Sequence, residues 1–440
     1  MSNFYKILIV LIFLNFQPVN SQQINIIRDA EIENFLQELS LPILKEAKIN
    51  PDTVNFYINH DDRINAFVTR GYNIFLTTEL LLNVKNYHQI AAVIAHEIGH
   101  ITGGHFSKQM TASKDSALIN IISSMLAIGA YASGSSAAGT ALLMGGQHIG
   151  KQRSLIFSRN QESFADQAAM KLIEKTGYDL RGLYDLLGIL EKRQRLVRQN
   201  PYNLTHPLSN ERRQIVYEKL KSSNVTYSEN SNLKNRFQLI QAKLVGFFLE
   251  EEIVEIYYPK IDNSLESKYA RALYKYKKGK FKGAINEIDV CIEIDPKNEF
   301  FYELKGQMQF EGGNFIDSSN SFNKALKLNK NEKYFHYSLG KSLYHTGNKK
   351  MIIESIKHFE FYKKMSEFPV DALHYLALSH AKVGNLVFSS ISLTEKFLLL
   401  NDLKNAKLHL EKARKIKTND RSIKNLIDDL DFLIKQKEDL

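Results

Sequence analysis

The chain has 440 residues, of which 44% are hydrophobic and 24% are charged. This length predicts two or three domains, and the composition is typical of a folded globular protein and excludes a largely disordered chain. The formal net charge of +10 would suit an anionic partner such as nucleic acid or a membrane surface. The lysines are scattered rather than massed in blocks, however, so we interpret them mostly as solvated helix faces.

The first residues predict a signal peptide. Lys6 precedes an apolar run over residues 7–16, and the short polar stretch that ends at Ser21 suits cleavage before Gln22. The apolar run is too short for a membrane span, which needs about 20 residues. We therefore expect residues 1–21 to direct secretion, and this expectation argues against a nucleic-acid partner.

The next segments predict a helix followed by a small sheet. Apolar residues recur at helical spacing over residues 30–49, before Asn50 and Pro51. Three short strand patterns follow at 54–58, 64–69 and 73–78, separated by turns, and we expect an antiparallel sheet. Helical spacing then returns and continues to about residue 220. The pattern predicts a helix-rich domain with one small sheet.

Residues 117–146 form an apolar patch of ambiguous meaning. Only about 15 of these residues are strongly apolar, which is short for a span, and the rest are Gly, Ser and Ala. This composition favours close helix packing in a core. A hairpin that touches lipid or substrate is the alternative, so peripheral membrane contact stays open.

A repeat begins after about residue 260. Gly279, Gly313 and Gly347 each follow the last by 34 residues, with small residues seven positions earlier and aromatic residues three positions earlier. This pattern is similar to the tetratricopeptide repeat over about residues 265–416. Unrelated amphipathic helices are the alternative. We divide the chain into a signal peptide (1–21), a first domain (22–255) and a repeat domain (256–440).

The stretch VIAHEIGHITGGH, residues 93–105, predicts a metal site. His96 and His100 are four residues apart and therefore share one face of a helix, with Glu97 beside them. A catalytic zinc needs a third protein ligand and an open position for water. His105 is a poor third ligand, because five residues is about 140° around the helix from His100.

A second helix offers the missing ligand. The segment FSRNQESFADQAAMKLI, residues 157–173, carries Glu162 and, one turn later on the same face, Asp166. Glu162 can complete a zinc site, and Asp166 can hold a ligand imidazole through its other nitrogen.

Three motifs together resemble metallopeptidase family forty-eight. They are HEIGH at 96–100, SRNQESFAD at 158–166 and HPLSNER at 206–212, and the segment INAFVTRGYNIFLTTELL also resembles the one that precedes the zinc helix in that family. A signal peptide, this domain and a repeat tail are similar to the periplasmic members. The resemblance implies a mainly α fold: a helical gluzincin-type domain with a small antiparallel sheet, then an α-solenoid of tetratricopeptide repeats.

The resemblance also implies the roles of the site residues. One zinc ion per chain would be bound by His96, His100 and Glu162, and Glu97 would be the base that takes a proton from the activated water. Asp166 would support a ligand histidine. The strand INAFVT resembles the edge strand that pairs with an extended substrate backbone in the family.

The sequence leaves more than one role open for His206. In similar family members the histidine of the His-Pro motif is implied to act as a reversible fourth zinc ligand that blocks water, with Arg212 holding its loop. A surface His-Pro turn and a role in stabilising an oxyanion are the alternatives.

We expect a periplasmic zinc endopeptidase that acts in quality control and assembly of outer-membrane proteins. Misfolded or stalled outer-membrane proteins would be the substrates, and the repeats would recruit substrate or the assembly machinery. The alternative is a repeat-based chaperone or scaffold with a shut or structural zinc site. Glu97 argues against a purely structural metal, because such sites are usually closed by four protein ligands.

Overall fold

The computed structural model describes residues 25–69, 71–104, 159–196, 206, 210–223, 227 and 229–438. The expected signal peptide and the apolar patch at 117–146 both lie outside the described residues. Within the described ranges, no helix is both long and apolar enough to cross a membrane.

The first domain begins with strand β1 (Ile26–Ile27) and helix α1 (Ala30–Glu46). Asp29 begins the helix, because its side chain accepts a hydrogen bond from the backbone N–H of Ile32. Strands β2 (Asn55–Asn59), β3 (Ala66–Thr69) and β4 (Asn73–Thr77) follow. The predicted mainly helical fold with one small sheet is confirmed.

The sheet is mixed, so the expectation of an antiparallel sheet was wrong in part. The strand order is β1-β2-β4-β3. Strands β3 and β4 pair antiparallel across a tight turn, but β4 lies beside β2 and pairs with it in parallel. The sequence signals the β3–β4 hairpin through Gly71, whose φ is +78°. It does not signal which strand of that hairpin lies beside β2.

Five helices complete the first domain as far as the structure describes it. They are α2 (Thr78–Asn83), α3 (Tyr87–Thr102), α4 (Arg159–Thr176), α5 (Arg181–Leu196) and α6 (Asn210–Ser222). Helix α3 is the central helix, because it contacts α1, α4, α5 and strand β3. Its residues from Tyr87 to His100 are all buried. The candidate motif therefore lies in the most enclosed helix of the domain.

Helix α7 (Ser231–Phe248) connects this domain to the rest of the chain. One face, with Phe237 and Ile240, packs into the core of the first domain, and another face, with Leu239 and Ala242, packs into the next core. The short helix α8 (Glu251–Tyr257) follows, and the boundary predicted at 255/256 falls inside it. The domain limits stay a prediction, because α7 belongs to both cores.

The remaining helices form a repeat-like array in which each helix packs against the next. They are α9 (Leu265–Lys277), α10 (Phe281–Ile294), α11 (Glu299–Glu311), α12 (Phe315–Leu328), α13 (Lys333–His345), α14 (Lys349–Met365), α15 (Val370–Val383), α16 (Leu386–Leu399), α17 (Leu403–Lys415) and α18 (Arg421–Glu438). The small residues that lie seven positions before the turn glycines of the repeat are needed for steric reasons. A Cβ atom on Gly306 would lie 2.9 Å from the ring of Phe322. The family name of the repeat stays a prediction.

A buried ionic cluster joins α1 to the repeat array. The ammonium group of Lys243 on α7 lies 2.6 Å from a carboxylate oxygen of Asp29 and 3.0 Å from one of Glu31. The hydroxyl of Tyr269 on α9 donates to Glu31 over 2.7 Å. Glu303 on α11 lies in the same surroundings, and burial raises the pKa of its carboxyl to about 8, with Asp29 and Glu31 adding to the rise. The two parts of the chain therefore share a polar interface.

We predict that Glu303→Gln makes the stability of the protein less dependent on pH. The folded chain keeps Glu303 protonated up to about pH 8, whereas the ordinary pKa of a glutamate carboxyl is 4.5. The stability that this protonated carboxyl provides is fully present below pH 4.5 and is lost as the pH rises to about 8. Since glutamine cannot ionise, the variant should lose less stability across this window.

The measurement is urea unfolding of wild type and variant at several pH values. Glu293→Gln is the matched control, because Glu293 is an exposed glutamate on α10. The same loss of stability with pH in Glu303→Gln and wild type would contradict the prediction.

Candidate metal centre

The HEIGH motif occupies the C-terminal half of α3. His96 and His100 lie on one face of the helix, with their ring centroids 4.7 Å apart, and both side chains are buried. Their Nε2 atoms are 3.1 Å apart. The spacing of four residues thus brings two imidazoles to one point, as the sequence predicts.

Helix α4 brings the carboxylates to the same point because it crosses α3 at close range. A Cβ atom on Gly99 would lie only 2.8 Å from the backbone oxygen of Ala165. Only glycine allows this approach without a shift of one helix. Glu162 and Asp166 lie on the side of α4 that faces the histidines, and both are buried. Gly99 was missed by the sequence analysis, although its place between the two histidines could have drawn attention to it.

Four side chains converge here, and one possible ligand atom from each lies within 4.8 Å of the other three. Glu162 Oε1 lies 3.2 Å from His100 Nε2, and Glu162 Oε2 lies 3.4 Å from His96 Nε2. His206 Nδ1 lies 3.1 Å from Glu162 Oε1 and 3.4 Å from His96 Nε2. A tetrahedral zinc with bonds near 2.0–2.1 Å requires its ligand atoms to be roughly 3.3 Å apart. The nitrogen and oxygen donors present therefore fit zinc.

The surroundings of these donors carry an excess of negative charge. Asp166 Oδ1 lies 3.0 Å from His96 Nδ1. Arg212, on α6, donates to Asp166 over 2.6 and 2.8 Å and lies 2.9 Å from Glu162 Oε2. Burial alone would raise the pKa of both carboxyls. Hydrogen bonds with His100, His206 and His96 hold the pKa of Glu162 below its usual range, and hydrogen bonds with His96 and Arg212 do the same for Asp166. Two carboxylates thus face one guanidinium, which leaves one negative charge that would attract a metal cation.

The two histidines of the motif have different electrostatic surroundings. Burial lowers the pKa of His96, but its contacts with Asp166 and Glu162 outweigh that effect and raise the pKa to about 10. Burial lowers the pKa of His100 to about 3, with the neighbouring histidines contributing. Since Asp166 faces Nδ1 of His96, its Nε2 atom is directed to the cluster. This is the usual arrangement of a carboxylate behind a metal-binding histidine.

Glu97 is buried without a hydrogen-bond partner for either carboxylate oxygen among the described residues. Burial raises the pKa of its carboxyl. The Nε2 atom of His206 lies 3.6 Å from Glu97 Oε1. A buried carboxylate without donors costs free energy, so this arrangement calls for a chemical explanation.

The structure brings the seven site residues predicted from the sequence into one buried cluster: His96, Glu97, His100, Glu162, Asp166, His206 and Arg212. His206 is fully buried with its ring against His96 and His100, so the surface-turn alternative was wrong. His105, which the sequence made a poor third ligand, lies outside the described residues.

The crossing helices α3 and α4, the small sheet and the four-donor cluster are together typical of a metallopeptidase domain. The model of peptidase family M48 matches residues 27–219, so this part of the chain is similar to that family. This match contains each of the seven clustered residues, and the resemblance noted in the sequence is confirmed.

Three curated relatives illustrate the similarity. The chain is 23% identical over 314 residues to the beta-barrel assembly-enhancing protease of Escherichia coli K12. The aligned region covers 70% of this chain and 64% of the relative. It is 24% identical over 290 residues to the Yersinia pestis protein of the same name, over 63% of this chain and 58% of the relative. Metalloprotease YcaL of Escherichia coli K12 is 26% identical over 174 residues, over 40% of this chain and 65% of that protein. The chain therefore spans less than two thirds of these relatives.

We predict that Gly99→Ala weakens metal binding by at least about tenfold. The added methyl group would meet the backbone of α4 at 2.8 Å, so the helices must separate and move Glu162 away from the histidines. Overpacking of this kind also costs about 1–3 kcal/mol of stability.

Zinc affinity, measured by competition with a chelator, checks this prediction. Gly283→Ala is the matched control, because a Cβ atom there would make only ordinary contact, 3.5 Å from the side chain of Lys275. Equal zinc affinity in Gly99→Ala and Gly283→Ala would show that the helix crossing does not control the site.

Proposed function

We propose that this protein is a zinc-dependent endopeptidase in which His96, His100 and Glu162 hold one zinc ion and Glu97 is the base. The observation that carries the proposal is the buried carboxylate of Glu97, which has no hydrogen-bond partner among the described residues and lies beside the four-donor cluster. A purely structural site would gain nothing from such a group. A base that receives a proton during the reaction needs one.

Each side chain of the cluster has a separate task in this proposal. Bound zinc supplies a Lewis acid that activates water and polarises the scissile carbonyl. Glu97 accepts the water proton and returns it to the leaving amine. Asp166 keeps the Nε2 atom of His96 directed to the site, and Arg212 holds the carboxylates of Asp166 and Glu162 in place. No covalent intermediate with the protein is needed.

His206 gives the site a closed arrangement, and we propose that it regulates access to the zinc. Its Nδ1 atom takes the fourth donor position at 3.1–3.4 Å from two other donors. In that position it leaves no room for water, and its Nε2 atom lies near Glu97. The chain must move His206 away before a substrate can bind. The oxyanion role is the second option for His206 once it has moved.

The edge strand β3 supports cleavage of extended chains. Among the described strands, β3 pairs with β4 alone, and it contacts helix α3. Its other edge can therefore pair with the backbone of a substrate beside the site. Backbone pairing depends little on side chains, so loosely folded polypeptides would be suitable substrates.

The names of the relatives suggest a cellular role. Two of them are called beta-barrel assembly-enhancing protease. We propose that this chain acts in the periplasm on misfolded or stalled outer-membrane proteins, and that the repeat array recruits the substrate or the assembly machinery. The sequence of residues 1–21 supports secretion.

A chaperone or scaffold with a shut zinc site is the second candidate. The closed arrangement of His206 favours it, because four protein ligands are typical of structural zinc. The helical array offers a binding surface that does not depend on cleavage.

We predict that Glu97→Gln abolishes cleavage, by at least about a hundredfold, while zinc content stays at one per chain. Glutamine fills the same space but cannot accept a proton, and general-base catalysis contributes on the order of 10²–10⁴ in rate. The measurement is zinc content together with degradation of an unfolded outer-membrane barrel protein.

The matched control is Glu252→Gln, an exposed glutamate on α8, which should retain full cleavage. Unchanged cleavage by Glu97→Gln would reject the endopeptidase mechanism. Zinc binding without cleavage in any form, including wild type, would favour the chaperone.

We predict that His206→Ala cleaves the same substrate faster than wild type with its zinc retained, because three ligands remain and the fourth position opens to water. Metal content and initial rates of the two proteins, measured in parallel, check this. Slower cleavage at unchanged zinc content would instead favour the role in stabilising an oxyanion.

A further inference from the structure

A stripe of polar side chains runs along the outer face of α12, the second helix of its repeat unit. Asn320, Asn323, Lys324 and Lys327 follow each other at spacings of three, one and three residues, which places them on one helix face. The opposite face of α12 carries the buried Phe322. The stripe therefore faces away from the core of the array.

A second stripe lies on α14. Lys350, Ile353, Lys357 and Phe361 follow helical spacing on one face of that helix. Two adjoining cavities of about 740 Å³ and 380 Å³ lie along the stripes and share two lining residues, His336 and His358. They form one groove, which we call the lysine groove.

The two shared histidines, His336 and His358, form the uncharged floor of the groove. Their Nδ1 atoms are 2.8 Å apart, and Nε2 of His336 lies 2.9 Å from the backbone oxygen of Lys330. His336 also stacks on Phe361 with ring centroids 3.8 Å apart. Burial lowers the pKa of His358 to about 4, with His336 and Lys357 contributing, so at neutral pH the lysines carry the charge.

The groove has a strong excess of positive charge. Its lining contains five lysines, Lys324, Lys327, Lys330, Lys350 and Lys357. Among the described residues of this lining, Glu354 is the single carboxylate, and it forms no ion pair with any of the five within the described part of the chain. In contrast, Lys305 on the neighbouring helix α11 pairs with Asp289, and Lys363, farther along α14, pairs with Glu395. The charge of the lysine groove is thus available to a ligand.

This charge is not a general property of the repeat. The positions 34 residues before Lys324 and Lys327 are Val290 and Glu293 on α10, and the position 34 residues before Asn323 is Asp289. The packing of the repeat therefore does not require lysine there. This unit has lysine at positions where the preceding unit has apolar or acidic residues. Its surface is therefore basic, whereas the corresponding surface of the preceding unit is neutral or acidic.

We propose that the lysine groove binds an acidic, extended polypeptide segment of a partner protein. The lysines are spread along two helices and the turn after α12 rather than directed to one point, which suits several carboxylates better than one phosphate. Leu326, Ile353 and Phe361 provide apolar contacts between the charges. A peptide with alternating acidic and apolar residues matches both features. This site is separate from the peptidase centre, so it does not depend on zinc or on cleavage.

Fluorescence anisotropy with the full-length mature protein tests the proposal. The probe is a labelled peptide of four Glu-Glu-Leu units, and the reference is a peptide in which glutamine replaces each glutamate. We expect binding of the acidic peptide alone, with an affinity that falls as salt is added. Carrying out the titration in Glu97→Gln protein prevents cleavage of the probe, and parallel degradation assays with wild type report on the peptidase separately.

The variant Lys324→Gln/Lys327→Gln/Lys330→Gln should bind the acidic peptide about tenfold more weakly, since each exposed ion pair contributes modestly. The matched control is Lys404→Gln/Lys417→Gln/Lys424→Gln, which removes the same charge from exposed positions near the end of the array. Full affinity in this control supports the groove.

Three outcomes would overturn the proposal. One is the absence of binding, and another is an equal loss of affinity in both triple variants, which would indicate general attraction to the net charge. The third is capture of the protein by vesicles of anionic phospholipid through Lys324, Lys327 and Lys330 without any peptide binding. Each of these results can occur whether or not the protein cleaves unfolded substrate, so the two proposals fail independently.

Discussion

The close crossing of α3 and α4 at Gly99 is the constraint on which the site depends. A Cβ atom at this position would lie 2.8 Å from the backbone of α4, so the helices can approach as closely as they do only because the residue is glycine. This approach brings Glu162 within 3.2 Å of His100 and Asp166 within 3.0 Å of His96. Both helices are held by the buried core around them, so the donors are placed by packing before any metal binds. The cost of collecting like-charged carboxylates is offset by Arg212, which contacts both.

The sequence predicted most of the site and less of its surroundings. The spacing of His96 and His100 is a local property of one helix, so it could be identified directly, and the segment with Glu162 and Asp166 could be recognised by its chemistry. The mixed sheet could not be predicted, because the pairing of β2 with β4 depends on how a hairpin packs rather than on alternation. The position of His206 rested on resemblance alone, since a residue 110 positions from His96 can approach it only through tertiary structure. The same limit explains why the lysines of α12 and α14 looked scattered along the chain.

Helix α7 and the ionic cluster around Lys243 couple the two parts of the chain. Lys243 is buried, so its pairing with Asp29 and Glu31 cannot be replaced by water without cost. Tyr334 on α13 also donates to Glu33 on α1 over 3.2 Å. Since α1 packs directly against α3 and α4, a movement of the repeat array would act on helices that carry the site. The array is therefore better described as part of the scaffold of the centre than as a separate attachment.

The two charged regions of the molecule differ in their contact with water, and this difference separates their functions. The metal centre is anionic and buried, so its electrostatic interactions are strong and little affected by salt. The lysine groove is cationic and open to solvent, so its interactions are weak individually and are screened by salt. Recruitment through the groove can therefore be rapid and reversible, whereas the chemistry at the centre is insensitive to the same ionic conditions. A partner held at the groove would leave free the strand edge of β3 that the substrate needs.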